Sequence, residues 1–134
     1  MDKAMQNLAP VAAYAFLEAN PEALLVDCRT EIEFMYVGHP QGAEHLAWQE
    51  APDWEVDPGF ADKVRQLVAG DLGRPVLLIC RSGQRSLDAA LALEAAGFRK
   101  VINVEEGFEG PLDDSHHRGT LGGWRHHGLP WQQS

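Results

Sequence analysis

The chain has 134 residues, 45% of them hydrophobic and 23% charged, which is the balance of a globular domain rather than of a disordered segment. With 11 Lys and Arg against 20 Asp and Glu, its formal net charge is -9. Such a surface repels nucleic acid and anionic membranes, so the composition predicts no nucleic-acid partner and no membrane partner. Residues 1–134 are expected to form one domain.

The two cysteines, Cys28 and Cys80, are too few for a disulfide scaffold and form no Cys-x-x-Cys pair. Residues 1–6 lack the long apolar stretch of a signal peptide, and no run approaches the roughly 18 apolar residues of a membrane span. These features predict a cytoplasmic protein whose two thiols are both free.

In chain order, the first elements predicted are a helix, a strand and a short helix. Pro10 suits the first turn of a helix that runs to about Asn20. Residues 23–28 form a nearly continuous apolar run, typical of a strand that is buried on both faces. Thr30 and Glu33 then have the spacing of a capping box, which begins a short helix.

The middle of the chain predicts a short strand, a loop, a helix and a further strand. The short strand lies near residues 44–46, and residues 49–59 form a polar loop that contains proline. Apolar residues at helical spacing then mark one face of a helix: Phe60, Val64, Leu67 and Val68. Residues 75–79 are the clearest strand of the sequence.

One more helix and one more strand complete the alternating pattern. Residues 87–98 carry a helical apolar stripe, with Gly97 where helices stop, and residues 101–104 form the last buried strand. Strands that alternate with helices indicate an α/β protein with a central, mainly parallel sheet and helices on both faces. From Gly107 onward the chain is rich in Gly, His and Trp.

Cys80 lies at the carboxyl end of the strand over 75–79, where open parallel sheets bind their ligands. The backbone N–H groups of residues 81–86 can form an anion-binding nest, and the following helix directs its positive end at the same place. Arg81 and Arg85 add two full positive charges, and all of these features favour a reactive thiolate. A cysteine that ends a strand is otherwise most often a buried core residue, but its basic surroundings favour the reactive role here.

Several segments resemble, in the same order, the single-domain rhodanese (rhodanese-homology) sulfurtransferases. The resemblance spans roughly residues 8 to 131 and implies a three-layer rhodanese-like fold over the single domain. The segments are residues 26–29 with Glu33 and Phe34, residues 38–43, residues 80–86, and residues 103–108 leading to 123–124 and 128–131.

The resemblance implies a two-step transfer of sulfur that needs no cofactor and no metal. The Cys80 thiolate attacks the outer sulfur of a donor such as thiosulfate, releases sulfite and keeps a persulfide. A thiophilic acceptor then takes that sulfur. The acceptor is cyanide in the assay and a thiol or a protein in the cell.

The site residues of the family carry over to this chain by position. Cys80 matches the catalytic cysteine, and Arg81 and Arg85 would steer the anionic donor and stabilise the leaving sulfite. Asp27 and Arg29 match a pair that braces the sheet near the site, so they are assigned to structural support. The cradle that holds the persulfide matches the backbone of Arg81, Ser82, Gly83, Gln84, Arg85 and Ser86.

Two segments depart from the pattern of the family. The family usually reads Gly-His-Ile-Pro-Gly-Ala, whereas here Pro40 precedes Gln41, which predicts a differently shaped turn. Residues 111–120 lengthen a loop that is expected near the pocket mouth. That loop either shapes the choice of acceptor or is a solvated surface loop.

The remaining histidines, cysteine and tryptophans are given mainly structural roles. The adjacent pairs among residues 116–117 and 126–127 are expected to be solvated or capping, because neighbouring side chains diverge and no zinc motif is present. Cys28 is expected to pack in the core, and a resolving-thiol role stays open. Trp124 is expected either to cover the core or to wall the pocket.

Two other functions compete with sulfur transfer. A cysteine-dependent phosphatase or arsenate reductase also holds a cysteine in an anion cradle, but with the spacing C-x5-R. Arg85 follows Cys80 as C-x4-R, which predicts a ring too small for a tetrahedral oxyanion. A non-catalytic rhodanese-like binding module typically lacks the cysteine, which is present here. Both observations favour the sulfurtransferase.

Overall fold

The computed structural model describes residues 5–133. The prediction that residues 1–6 carry no signal peptide falls mainly on residues 1–4, which lie outside the described residues. Among residues 5–133, no helix has both the length and the apolar character needed to cross a membrane.

Strands and helices alternate along the described chain, as the apolar pattern predicts. The helices are α1 (Pro10–Ala19), α2 (Phe60–Leu67) and α3 (Gln84–Ala95), and a π-helical segment covers Glu33–Val37. The strands are β1 (Met5–Leu8), β2 (Leu24–Asp27), β3 (His39–Pro40), β4 (Glu44–His45), β5 (Val76–Ile79), β6 (Val101–Val104) and β7 (Trp131–Gln132).

A parallel sheet of five strands, in the order β1-β6-β5-β2-β4, forms the centre of the fold. Residues of α2 and α3 pack on one face of this sheet, and α1 packs on the other together with Phe108 and Trp124. The predicted α/β architecture is therefore confirmed. Strand β5 lies in the middle, and burial of all its residues explains its continuous apolar run.

Three of these strands were not predicted from the sequence: β1, β3 and β7. Within residues 5–133, β1 is an edge strand that pairs with β6 alone, and its central residues Gln6 and Asn7 are exposed, so it has no apolar run. Strands β3 and β7 form a separate antiparallel pair of two residues each. This pair ends at Pro40, and the turn after it is closed by the Ala43 N–H, which donates to the Pro40 carbonyl (3.2 Å).

The predicted capping box is present and begins the short helix. The Thr30 N–H donates to the Glu33 carboxylate (3.2 Å), and the Glu33 N–H donates to the Thr30 hydroxyl (3.3 Å). This helix lies directly after β2, so the capping box places the Glu33 carboxylate near the carboxyl edge of the sheet.

The register of the central strands brings the predicted site residues together. Asp27 of β2 pairs with Ile79 of β5, and the Cys28 N–H donates to the Ile79 carbonyl (2.9 Å). Because the two strands are parallel, the residues that follow them, Cys28 and Cys80, leave the sheet at the same edge.

Candidate active site

Cys80 lies at the bottom of an open cavity of about 440 Å³. The residue is only 1% exposed. Two residues at this cavity, Glu33 and Trp54, were not predicted from the sequence as site residues. The cavity is lined by Glu33, Trp54, Cys80, Arg81, Ser82, Gln84 and Arg85.

The Cys80 sulfur accepts hydrogen bonds from the loop that follows it. The N–H groups of Gly83 and Ser86 donate to Sγ at 3.1 Å and 3.3 Å, and the Ser86 hydroxyl lies 3.2 Å from it. Helix α3 begins at Gln84 and directs its positive end at the same sulfur. Gly83 has φ 104°, a left-handed conformation that favours glycine and that turns the chain into the helix.

A chain of polar side chains fixes Ser86 beside the sulfur. The Ser86 hydroxyl donates to Asn103 Oδ1 (2.5 Å), and Asn103 Nδ2 donates to Asn7 Oδ1 (2.9 Å). These contacts fix the Ser86 hydroxyl 3.2 Å from Cys80 Sγ. Asn103 belongs to a segment that carries the family resemblance, but nothing in the sequence indicates that its side chain contacts Ser86.

Arg85 is held by an ion pair with Glu33. Its Nη1 and Nη2 atoms lie 2.8 Å and 2.9 Å from the two carboxylate oxygens, in the two-point geometry that arginine favours. Burial opposes ionisation of Glu33, but Arg85 and the Thr30 backbone and hydroxyl outweigh it and lower the pKa of Glu33 to about 2. The hydrogen bond to Glu33 also raises the pKa of Arg85. Both groups are therefore charged at neutral pH.

Arg81 differs from Arg85 in its surroundings. It is exposed at the cavity, and none of the ion pairs found within residues 5–133 involves it. Of the two arginines at the cavity, Arg81 therefore has its charge more readily available to an anion.

Asp27 and Arg29 form a buried ion pair next to the site but outside the cavity lining. Arg29 Nη2 lies 2.6 Å from Asp27 Oδ2, both side chains are 0% exposed, and Arg29 also donates to the Gly38 carbonyl (2.5 Å). Its guanidinium lies over the Phe108 ring at 4.6 Å. This arrangement ties the end of β2 to the segments before β3 and after β6.

The chain after β6 braces the loop that carries Cys80. The Phe108 N–H donates to the Cys80 carbonyl (2.7 Å), and the Glu109 N–H donates to the Arg81 carbonyl (3.0 Å). Gly107 lies so close that a Cβ there would be 2.5 Å from the Cys80 carbonyl oxygen. A side chain at position 107 is therefore incompatible with this contact.

Cys28 is buried directly after β2, the strand next to the one that leads into Cys80. Burial first, and then the negative charges of Cys80 and Asp27, raise the pKa of the Cys28 thiol well above its ordinary value. Cys28 therefore stays protonated and packs in the core, together with side chains of β5.

Trp124 and the loop over residues 111–120 contribute nothing to the cavity lining. Trp124 is 1% exposed and packs edge-on against Tyr14, so of its two expected roles the structure assigns it to covering the core. The loop is held by Asp113, which accepts hydrogen bonds from the Ser115 N–H and the Thr120 hydroxyl. The outer wall of the cavity is formed instead by Trp54.

The histidines near the carboxyl terminus make local contacts. His126 Nδ1 lies 3.0 Å from the Gly119 carbonyl oxygen, and His127 Nε2 lies 3.2 Å from Glu106 Oε1. Within the part of the chain that the structure describes, no three His, Cys, Asp or Glu side chains are grouped so as to hold a metal ion.

Comparison with known proteins gives similarities over most of the chain. The model of the rhodanese-like domain family matches residues 10–112. The thiosulfate sulfurtransferase GlpE of Glaesserella parasuis is 31% identical over 110 residues, which cover 82% of this chain and 89% of that protein. The uncharacterized protein RC0915 of Rickettsia conorii is 33% identical over 131 residues, 96% of this chain and 98% of that protein. The crystal structure of Rv0390 from M. tuberculosis is similar with a TM-score of 0.85 at 37% identity, and the match covers 99% of this chain and 100% of that one.

Proposed function

Because the chain belongs to the rhodanese-like domain family, we propose that it is a sulfurtransferase that carries sulfur as a persulfide on Cys80. Its donor is a small sulfur anion such as thiosulfate, and its acceptor is a thiophile such as cyanide or a thiol. The observation that carries the proposal is the position of Cys80 Sγ, which faces the cavity with two backbone N–H donors directed at it.

In the first step the Cys80 thiolate attacks the outer sulfur of thiosulfate. A bond forms between Sγ and that sulfur, the sulfur–sulfur bond of thiosulfate breaks, and its electron pair leaves with sulfite. The N–H groups of Gly83 and Ser86 and the positive end of α3 stabilise the negative charge on the cysteine. Arg81 and Arg85 attract the donor and stabilise the leaving sulfite.

In the second step the acceptor attacks the outer sulfur of the persulfide, and Cys80 returns as a thiolate. The cradle of residues 81–86 holds that outer sulfur. Within this cradle, the polar side chains of Ser82 and Gln84 line the cavity. Asp27 and Arg29 act on the reaction only by bracing the sheet next to the site.

The same proposal covers the organisation and the location of the protein. Residues 1–134 form a single rhodanese-like domain, which agrees with a sheet that spans the chain from β1 to β6. The protein acts in the cytoplasm, where its two free cysteines are kept reduced.

The loop size supports sulfur transfer over phosphate or arsenate chemistry. With C-x4-R spacing, the loop directs two backbone N–H groups at Sγ, and the Arg85 guanidinium is paired with Glu33. A tetrahedral oxyanion needs donors for several oxygens at once. A persulfide adds only one sulfur atom to the cysteine, so it needs fewer hydrogen-bond donors than an oxyanion does.

The test is thiocyanate formation from thiosulfate and cyanide by wild type, Cys80→Ser and Cys28→Ser. We expect activity in wild type and Cys28→Ser and none in Cys80→Ser. Hydrolysis of an aryl phosphate should not exceed that of the Cys80→Ser control. Cys80-dependent phosphatase activity without thiosulfate turnover would replace this proposal with the phosphatase, and inactivity with both substrates would favour the binding module.

A further inference from the structure

Trp54 forms the apolar part of the cavity wall. It is 49% exposed although it is a large aromatic residue, and it lines the same cavity as Cys80 and Arg81. An indole at this position covers little of the protein core, so its exposed surface is available to a molecule that enters the cavity.

The backbone around Trp54 is held in an uncommon conformation. Trp54 has φ 58°, in the left-handed region, which costs a bulky residue about 1 kcal/mol or more. The Gln49 side chain donates to the Trp54 carbonyl (2.8 Å), and the Trp54 N–H donates to the Glu50 carbonyl (3.0 Å). The Glu31 N–H in turn donates to the Glu50 carboxylate (3.0 Å), which ties the loop to the helix that contains Glu33.

The cavity is larger than a thiosulfate donor requires, and Trp54 places one large aromatic side chain in a lining that is otherwise mostly polar or charged. Its volume of about 440 Å³ lies in the range of roughly 300–1,000 Å³ that is typical of sites for organic ligands. Thiosulfate is a compact, fully polar ion that gains nothing from an indole surface. The donor uses Arg81 and Arg85, together with the N–H groups that are directed at Cys80 Sγ, which leaves Trp54 without a role in the first step.

We propose that Trp54 determines specificity for the acceptor, and that the acceptor is an organic thiol with an apolar body and a carboxylate. This inference rests on the proposed sulfur transfer and names the substrate class of its second step. The apolar body packs on the Trp54 indole, and the carboxylate binds Arg81, whose charge is free once sulfite has left.

The second step then balances without an oxidant. The Cys80 persulfide is formed as an anion in the first step and takes up a proton from water. The acceptor thiolate then forms a bond to its outer sulfur, and the bond between that sulfur and Sγ breaks. Its electron pair returns to Sγ, which becomes the thiolate again. The proton stays on the transferred sulfur, and the product is the persulfide of the acceptor.

The experiment separates the two steps in time. The protein is loaded with thiosulfate, and loading is measured by intact mass. After excess donor has been removed, loss of the persulfide is followed against the concentration of 4-mercaptobenzoate, of its neutral analogue 4-methylthiophenol, or of cyanide. Wild type is compared with Trp54→Ala and Trp54→Phe. Tyr36→Ala is the control, because Tyr36 is also an exposed aromatic residue but does not line the cavity.

We expect Trp54→Ala to load like wild type and to react with cyanide within about two-fold of wild type. Its reaction with both aromatic thiols should be about ten-fold slower. Trp54→Phe and Tyr36→Ala should behave like wild type. In Arg81→Ala, once loaded, the reaction with 4-mercaptobenzoate should slow by a larger factor than the reaction with 4-methylthiophenol. If Trp54→Ala keeps the full rate with both thiols, or loses the same factor with cyanide, the inference is wrong.

A binding measurement distinguishes failure of this inference from failure of the proposed function. Calorimetric titration of Cys80→Ser with 4-mercaptobenzoate requires no sulfur transfer. The added Trp54→Ala substitution should weaken binding about ten-fold, and equal affinities would overturn the role of Trp54. If wild type takes up no sulfur from thiosulfate, the proposed function fails, and this titration still decides whether Trp54 binds the thiol.

Discussion

Glu33 and Arg85, 52 positions apart in the sequence, form a two-point ion pair at the wall of the cavity, with distances of 2.8 Å and 2.9 Å. The same Glu33 carboxylate completes the capping box with Thr30. One side chain therefore connects the beginning of the helix after β2 to the first turn of α3, where the Cys80 loop ends. The guanidinium of Arg85 is positioned by this contact.

We predict that Glu33→Gln lowers the free energy of unfolding at pH 6 and that the loss disappears in acid. The pKa of Glu33 is lowered from 4.5 to about 2, a difference that corresponds to about 3 kcal/mol. A carboxyl whose pKa is lowered by folding stabilises the protein above its unfolded pKa, and this contribution is lost as the pH falls from 4.5 towards 2. Denaturant unfolding at several pH values measures the difference from wild type.

Glu31→Gln is the matched control for Glu33→Gln. Glu31 is exposed on the same short helix, and within the described residues no ion pair involves its side chain. Its substitution should change the free energy of unfolding by less than about 0.5 kcal/mol at pH 6. Equal effects of the two substitutions, or a Glu33 effect that is as large at pH 3 as at pH 6, would contradict the account of the ion pair.

We predict that Arg81→Ala raises KM for thiosulfate about ten-fold and makes it less sensitive to salt. Arg81 is the cavity arginine without an ion pair among the described residues, so its charge acts on the donor directly. Arg99→Ala is the control, because exposed Arg99 lies just before β6, at the opposite edge of the sheet. Steady-state kinetics at two ionic strengths test this, and a KM that Arg81→Ala leaves unchanged would show that Arg81 does not bind the donor.

We predict that Gly107→Ala destabilises the protein by at least about 3 kcal/mol and reduces sulfur transfer. A Cβ at Gly107 would lie 2.5 Å from the Cys80 carbonyl oxygen, so the Cys80 loop must move. Gly42→Ala provides the comparison, because Gly42 also has a positive φ of 82° but nothing lies within 4 Å of the added atom. It should lose only the roughly 1–2 kcal/mol of left-handed backbone strain. Similar unfolding midpoints of the two variants would show that the contact with Cys80 does not matter.

The sequence predicted the sheet and the Cys80 loop because both depend on local patterns. Continuous apolar runs marked the buried strands, and β5 leads directly into residues 80–86, so the cradle is contiguous in the chain. Strand β1 was missed because an edge strand with polar central residues leaves no such pattern.

Contacts between distant segments could not be predicted in the same way. The spacing from Thr30 to Glu33 predicted a helix start, but nothing local indicates that the carboxylate also reaches Arg85. Trp54 lies in a polar loop without periodicity, and its place at the cavity depends on how residues 49–56 fold against the helix after β2. Such contacts follow from tertiary packing.

The most direct test of the central claim is the intact mass of the protein after exposure to thiosulfate and removal of the excess. Wild type and Cys28→Ala should each gain the mass of one sulfur atom and lose it when cyanide is added. Cys80→Ser should gain nothing. A sulfur atom found on Cys80→Ser, or no gain in wild type, would contradict the assignment of Cys80 as the sulfur carrier.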